Sequence, residues 1–382
     1  MATPGWPVVV FWASLAAVAY PYLVYPLLLV AWNRLTLRRA PAPQSGHQPT
    51  VTVICPVHNE AARIGDKVRN LLALDYPSDL MQILVIGDGC TDRTLETALL
   101  EGNGRVEVVD LPERRGKAAA LNAGLERAHG EILLFTDAGI VLEPGSLPAL
   151  AAHFANPEVG CVSGEDAIEG GGGEGLYGRL ELLLRREEAR LHSIAGASGC
   201  LYAMRRSLCR PFRPGMAPDF LSVLDTVRAG FRALAEPAAR GVMTATGSAA
   251  AEYDRKTRTF LRGITALFGN AALLDPLRHP AFSFILFSHK LMRWLAFIPL
   301  AACFVAAFLL QRDPAYALAF YGQLALYALA GLGLQSPAVA QRSPLIRLAG
   351  FFLLVNAAAA RALGLWLAGV RQEVWEPTRR PA

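Results

Sequence analysis

The sequence predicts an α/β domain with a mostly parallel sheet, held between hydrophobic segments that cross or line a membrane. Strand-like and helix-like runs alternate through residues 50–136, the pattern of βαβ units whose helices cover a parallel sheet. Of the 382 residues, 53% are hydrophobic and 18% charged, against roughly a quarter charged in soluble proteins. The apolar excess gathers at the two ends. The expected division is a membrane anchor at residues 1–40, a globular domain at 41–270, and at 271–382 an interfacial helix with two to three membrane segments.

At the N-terminus no charged residue stands between Trp6 and Trp32, and about 20 apolar residues suffice to cross a ~30 Å hydrocarbon layer. The first seven residues hold no Lys or Arg, and the apolar run is too long for a cleaved leader, which predicts a retained anchor. Trp6, Trp12, Tyr20, Tyr22, Tyr25 and Trp32 include rings suited to the headgroup level, and Arg34, Arg38 and Arg39 follow directly. Positive charge marks the cytosolic side, so residues 50–265 are expected to face the cytosol.

In the middle, residues 50–56 (TVTVICP) and 81–86 (MQILVI) read as strands around a helical stretch at 61–74. A third strand follows at 106–111, a helix at 116–128 and a fourth strand at 131–136 (EILLFT). In such a sheet ligands bind beyond the carboxyl ends of the strands. His58, Asn59 and Glu60 come after the first strand, Asp88, Gly89, Thr91 and Asp92 after the second, and Asp137 after the fourth. Acidic groups from separate strands would meet at one edge, although Asp92 equally suits a helix cap. No GxxxxGK[ST] or GxGxxG follows a strand, which argues against a P-loop NTPase or a dinucleotide-binding dehydrogenase. The net charge of +5 forms no long basic stripe, so nucleic acid is not an expected partner. Six cysteines without a CxxC pair predict reduced thiols and no thiolate metal site.

Toward the C-terminus, residues 170–175 (GGGGEG) read as a loop and residues 179–190 as an amphipathic helix with Leu180, Leu183, Leu184 and Leu191 on one side, suited to either the core or a membrane. Apolar character returns at 282–310, 315–334 and 345–370. His289, Lys290 and Arg293 suit an interfacial helix leading into the first block, and Asn356 and Arg361 interrupt the last. Three or four spans are both compatible with the sequence; an even number after the domain leaves Arg371, Arg379 and Arg380 in the cytosol.

VTVICPVHNEAARI from Val51, then IGDGCTDRT, RGKAAALNAGLERAHGEILLFTDAG and PDFLSVLDTVRAGFRALAEPAA resemble, in order and approximate spacing, the motifs of family 2 glycosyltransferases. That inverting group includes cellulose, chitin and hyaluronan synthases and bacterial exopolysaccharide transferases. The resemblance runs over residues 51–262 and implies a GT-A nucleotide-sugar-binding fold, a UDP-sugar donor, a lipid-linked or growing glycan acceptor at the membrane, contact with membrane lipids, and a place in the bacterial inner membrane. It implies that Pro56 and Glu60 lie against the nucleoside, Asp88 on the uracil or ribose side, and Lys117 near the nucleotide. Asp137 matches the first acid of a DxD motif, which contacts the ribose and a Mg²⁺ or Mn²⁺ ion on the diphosphate, and Asp219 matches the general base.

The sequence departs from the family at three places. Asp137-Ala138-Gly139 lacks the second acid, so a metal would have fewer protein ligands. Pro218 replaces an acidic neighbour of the base, and Asp225 stands where relatives often have Arg. The QxxRW motif of processive members is matched in position by residues 255–259 (RKTRT), giving Arg255 and Arg258 as candidates for the diphosphate; residues 290–294 (KLMRW) are a second partial match. These departures leave a single-addition transferase, or a non-catalytic partner of a glycan-assembly complex, as alternatives to a polymerase.

Overall fold

The computed structural model describes residues 5–168, 174–243, 248–336, 339 and 343–372. The glycines at 170–173, Arg379 and Arg380 lie outside the described residues.

The α/β core is built on β1 (Val51–Val57), β2 (Met81–Asp88), β3 (Val106–Leu111) and β4 (Ile132–Thr136), all parallel in the order β3-β2-β1-β4. Every residue of β1 and β4 is buried, as expected for central strands covered on both faces. Helix α3 (Ala61–Leu72) joins β1 to β2 and turns Ile64, Val68 and Leu71 inward. Two glycines are required by close approach. A Cβ on Gly130, just before β4, would lie 2.4 Å from Thr52 N, and one on Gly89 would lie 2.5 Å from Arg114 N at a φ of +64°.

The sheet is larger and more mixed than the sequence suggests. It has eight strands, continuing past β4 through β7 (Leu201–Arg205), β6 (Val159–Ile168), β8 (Arg232–Met243) and β5 (Val141–Leu142). β7 runs antiparallel to both β4 and β6, β6 and β8 are parallel, and β5 is antiparallel to β8. Pro237 and Gly241 interrupt any strand pattern in β8. The pairing with β6 absorbs register shifts between Val159 and Cys161 and between Ser163 and Glu165.

Three helices are long and apolar enough to cross a membrane, or four if a bent pair forms one span. The first, Gly5–Leu35, comprises α1 (Gly5–Ala19), a π turn (Tyr20–Val24) and α2 (Tyr25–Leu35). The bent pair joins Pro280–Trp294 to Phe297–Leu309 at 55°, and Pro314–Gln335 and Pro344–Leu367 complete the set. Phe11 of α1 packs with Cys303, Ala306, Ala307 and Leu310. Pro344–Leu367 lies against α9 (Ala249–Phe268) through Phe351, Leu354 and Val355 on one side and Phe260, Leu261 and Ile264 on the other.

The arginine-rich helix, α7 (Glu174–Leu191), packs its apolar stripe on the C-terminal part of the first span: Leu180, Leu184 and Leu191 cluster with Tyr25 and Leu29. Polar groups cross the same junction. Glu188, fully buried, accepts from Tyr25 Oη at 2.8 Å and pairs with His289 Nδ1 at 2.7 Å. Glu181 pairs with His289 Nε2 at 3.0 Å and Arg293 Nη1 at 2.9 Å, and Asn33 Nδ2 donates to Glu187 O at 2.8 Å. His289 and Arg293 are therefore turned inward onto α7 instead of facing a headgroup layer. Buried charges need partners, and α7 supplies them.

Tyr25→Phe removes a hydrogen bond to a buried carboxylate, a loss of about 2 kcal/mol. Thermal unfolding of the detergent-purified protein should shift down by roughly 3–6 °C; an unchanged midpoint would show that this contact does not hold the first span to α7.

Candidate functional site

Beyond the carboxyl ends of β1 and β4 lies a cleft lined by Pro56, Lys117, Asp137, Gly199, Tyr202 and Asp219, among others. Lys117 is the first residue of α5 (Lys117–Arg127) and Asp137 the first after β4. Lys117 Nζ donates to Asp137 Oδ1 at 2.6 Å and to Gly199 O at 3.2 Å. Burial alone would pull the lysine pKa down, but the charge and hydrogen bond of Asp137 outweigh it and leave the pKa raised. Lys117 is therefore a firm cation at this edge of the sheet.

Asp219 reaches the cleft from the other side, in the first turn of α8 (Pro218–Arg228). Pro218 opens that helix, where a missing N–H costs nothing. Burial raises the Asp219 pKa, partly offset by the charges of Lys117, Arg262 and Lys290. Gly199 stands between the two sides: its carbonyl takes Lys117, and a Cβ there would lie 3.8 Å from Asp219 Cγ.

Asp88, which the resemblance sets on the uracil or ribose side of a donor, is held by backbone amides. It is 1% exposed, and its carboxylate accepts from Arg115 N at 2.7 Å and Gly116 N at 2.8 Å. Backbone amides reach both oxygens, so Asp88 fixes the loop that delivers Lys117. Asp92 caps locally: its oxygens accept from Thr94 N at 3.0 Å and Ala61 N at 3.3 Å. Glu60 lies at the start of α3, where its amide donates to Thr94 Oγ1 at 2.8 Å and its carboxylate sits 3.7 Å from Arg63. Neither Glu60 nor Asp88 lines the cleft.

Arg255 and Arg258 do not line it either. Arg255 is held to Glu252 on its own helix at 2.6 and 2.8 Å, and Lys256 lies over the rings of Tyr177 and Phe351. One turn beyond Arg258, Arg262 donates from Nη2 to Met216 O at 3.1 Å, in the loop leading to Asp219. In the second partial match, Trp294 meets Phe220 edge-on with ring centroids 6.0 Å apart.

Among the described residues, no group of three His, Cys, Asp or Glu side chains is placed to hold a metal. Asp137 offers one carboxylate, and Gly139 adds none. The cysteines are free, and burial pushes the Cys55 thiol up to about 12, which leaves it unreactive.

Two residues near the site escaped the sequence reading. Lys67 is 2% exposed and donates to Thr136 Oγ1 and Ile140 O, both at 2.8 Å, bracketing the loop that carries Asp137. Its signal was present, since it sits on the same face of α3 as Ile64, Val68 and Leu71. Glu188 lies on the apolar stripe of α7 with Leu184 and Leu191, and its second oxygen accepts from Ala195 N at 3.0 Å, at the start of the loop that ends at Gly199. A charge on a buried stripe demands a partner, but periodicity does not say which.

Residues 52–211 match the family model Glycosyl transferase family 2. A poly-beta-1,6-N-acetyl-D-glucosamine synthase of Staphylococcus aureus (strain COL) is 31% identical over 137 residues, 35% of this chain and 33% of that protein. The synthase of the same name from Staphylococcus epidermidis is 32% identical over 141 residues, 36% of this chain and 32% of its own length. The chain thus spans about a third of the length of these relatives. Among solved structures, a mannosyltransferase of Pyrobaculum calidifontis in complex with GDP-Man and Mn²⁺ superposes with a TM-score of 0.74 at 25% identity, covering 94% of this chain and 98% of that one.

The Lys67 pKa is pulled down to about 8 by burial, against about 10.4 in an unfolded chain. Between those values the folded state has shed a proton that the unfolded state keeps, so stability rises with pH. The stability of wild type relative to Lys67→Met should increase between pH 7 and pH 10 by on the order of 1–3 kcal/mol. Unfolding curves of both proteins at the two pH values test this; an equal gap at both would refute it.

Proposed function

We propose that this membrane protein, which carries a family 2 glycosyltransferase domain, transfers a sugar from a nucleoside-diphosphate donor to a lipid-linked or growing glycan with inversion at the anomeric carbon. The supporting observation is the meeting, across Gly199, of the Lys117–Asp137 pair and the partly buried carboxylate of Asp219. A leaving diphosphate concentrates negative charge, and Lys117 supplies a fixed cation where that charge develops. On the acceptor side, Asp219 removes the hydroxyl proton while the oxygen attacks. The new bond forms at the anomeric carbon, the bond to the β-phosphate oxygen breaks, and its electron pair leaves with the nucleotide. A carboxylate with a raised pKa is the stronger base for this step.

A divalent cation fits this site through Asp137, with diphosphate oxygens and water completing the oxygen ligands that Mg²⁺ or Mn²⁺ prefers. When bound, it would neutralise charge on the departing diphosphate. Pro56 and Glu60 remain the candidates for the nucleoside, with Asp88 acting on it through the loop it holds. The family resemblance favours a UDP-sugar, and the likeness to a mannosyltransferase solved with GDP-Man makes the guanosine form the alternative. Arg34, Arg38 and Arg39, directly after the first span, support a cytosolic domain in a bacterial inner membrane.

A panel of UDP- and GDP-sugars offered to the full-length protein in detergent or lipid discs should reveal one preferred donor, with turnover abolished by EDTA and restored by Mn²⁺ or Mg²⁺. Asp219→Asn should lower kcat by about 10²–10⁴-fold without changing the unfolding midpoint. Because the base acts deprotonated, its raised pKa places the acid limb of the wild-type pH–rate profile above the ~4 of an ordinary carboxylate. Product formation by a folded Asp219→Asn protein at the wild-type rate would overturn Asp219 as the base, whereas no turnover of any donor by folded wild type would leave the non-catalytic partner.

A further inference from the structure

Two cations bracket Asp219 without being used by the chemistry above. Arg262 is tethered from Nη2 to Met216 O, three residues before the base. Its Nε is buried with no hydrogen-bond partner, and among the described residues it has no carboxylate within salt-bridge distance. Lys290 stands on the far side, its Nζ 6.0 Å from the ring centroid of Phe220, the residue after the base. A Cβ on Gly196, in the loop running to Gly199, would come within 3.3 Å of that nitrogen.

Lys290 is poorly paired. Glu181, 3.8 Å from Nζ, is also claimed by Arg293 at 2.9 Å and His289 at 3.0 Å. No hydrogen-bond acceptor for Nζ is found among the described residues. A partly buried cation without a close anion is costly, and these two lie beside the segment that carries Asp219, at Met216 and Phe220. Lys290 lies in the first helix of the bent apolar pair, Pro280–Trp294, seven residues before Phe297–Leu309.

Resting on the transferase reading, we propose that Arg262 and Lys290 form an acceptor subsite for a phosphoryl group carried close to the attacking hydroxyl, as in a sugar joined through phosphate to a lipid. Guanidinium offers a planar fork and ammonium a compact charge, a pair well matched to a tetrahedral oxyanion. The subsite selects acceptors by charge as well as by sugar.

The test uses the full-length protein in discs of zwitterionic lipid with three probes: an alkenyl-phosphoryl hexose, the free hexose 1-phosphate, and a neutral alkyl hexoside of the same sugar. Wild type should bind the first at least tenfold more tightly than the neutral hexoside. Binding of hexose 1-phosphate as tightly as the lipid form assigns the affinity to the phosphoryl group alone; weaker binding assigns a share to the lipid. Lys290→Gln and Arg262→Gln should each raise the acceptor Kd and KM about tenfold or more with the donor KM within twofold of wild type, and Lys290→Arg should restore most of the loss. If Lys290→Gln does not fold, Arg262→Gln and Lys290→Arg carry the test. Equal binding of charged and neutral probes overturns the subsite, as does a shift confined to the donor KM, or a moved acid limb with the acceptor KM unchanged. If no probe receives sugar yet the phosphoryl probe binds wild type and not the variants, the transferase reading fails and the subsite stands.

Discussion

The carboxylate of Glu188 sits where three parts of the chain converge. It takes the Tyr25 hydroxyl from the N-terminal span, the His289 ring from the segment entering the later apolar helices, and the Ala195 amide from the loop that runs to Gly199. A fully buried charge tolerates little rearrangement, because every lost partner leaves a desolvated acceptor. The seating of both membrane regions is thereby tied to the loop against which Lys117 and Asp219 are placed.

The site itself is organised by backbone more than by acids. Asp88 spends its oxygens on the amides of Arg115 and Gly116, which fixes the approach of Lys117, and Lys67 clamps the residues on either side of Asp137 from below. The groups left in the cleft are few: a lysine–aspartate pair, a bare glycine and a carboxylate raised by burial. Rigid strands supply their spacing, consistent with a geometry that must favour charge developing in a reaction without rebuilding itself each time.

Charge distribution follows the same economy at the membrane junction. His289, Lys290 and Arg293 would stabilise a helix at a headgroup layer equally well on sequence grounds, yet they face Glu181 and Glu188. Lys290 and Arg262 remain incompletely satisfied beside Asp219, and that imbalance separates a structural ion network from a site with room for another charged group.

Local pattern was enough to determine the parallel strands β1 to β4, the helices between them and the apolar helices at both ends, while the family resemblance singled out Lys117, Asp137 and Asp219. Strand alternation, helical periodicity and uninterrupted apolar length are properties of neighbouring residues, so they can be read without the fold. The mixed half of the sheet was hidden because Pro237 and Gly241 erase the local signal of β8, whose pairing is set by distant partners. The engagement of Asp88 by backbone amides, the holding of Arg255 by Glu252, the turning of His289 onto Glu188, and the approach of Arg262 and Lys290 to Asp219 were decided only by tertiary structure. Each depends on which groups lie within a few ångströms after packing, and residues 188 and 289, or 219 and 290, are far apart in sequence.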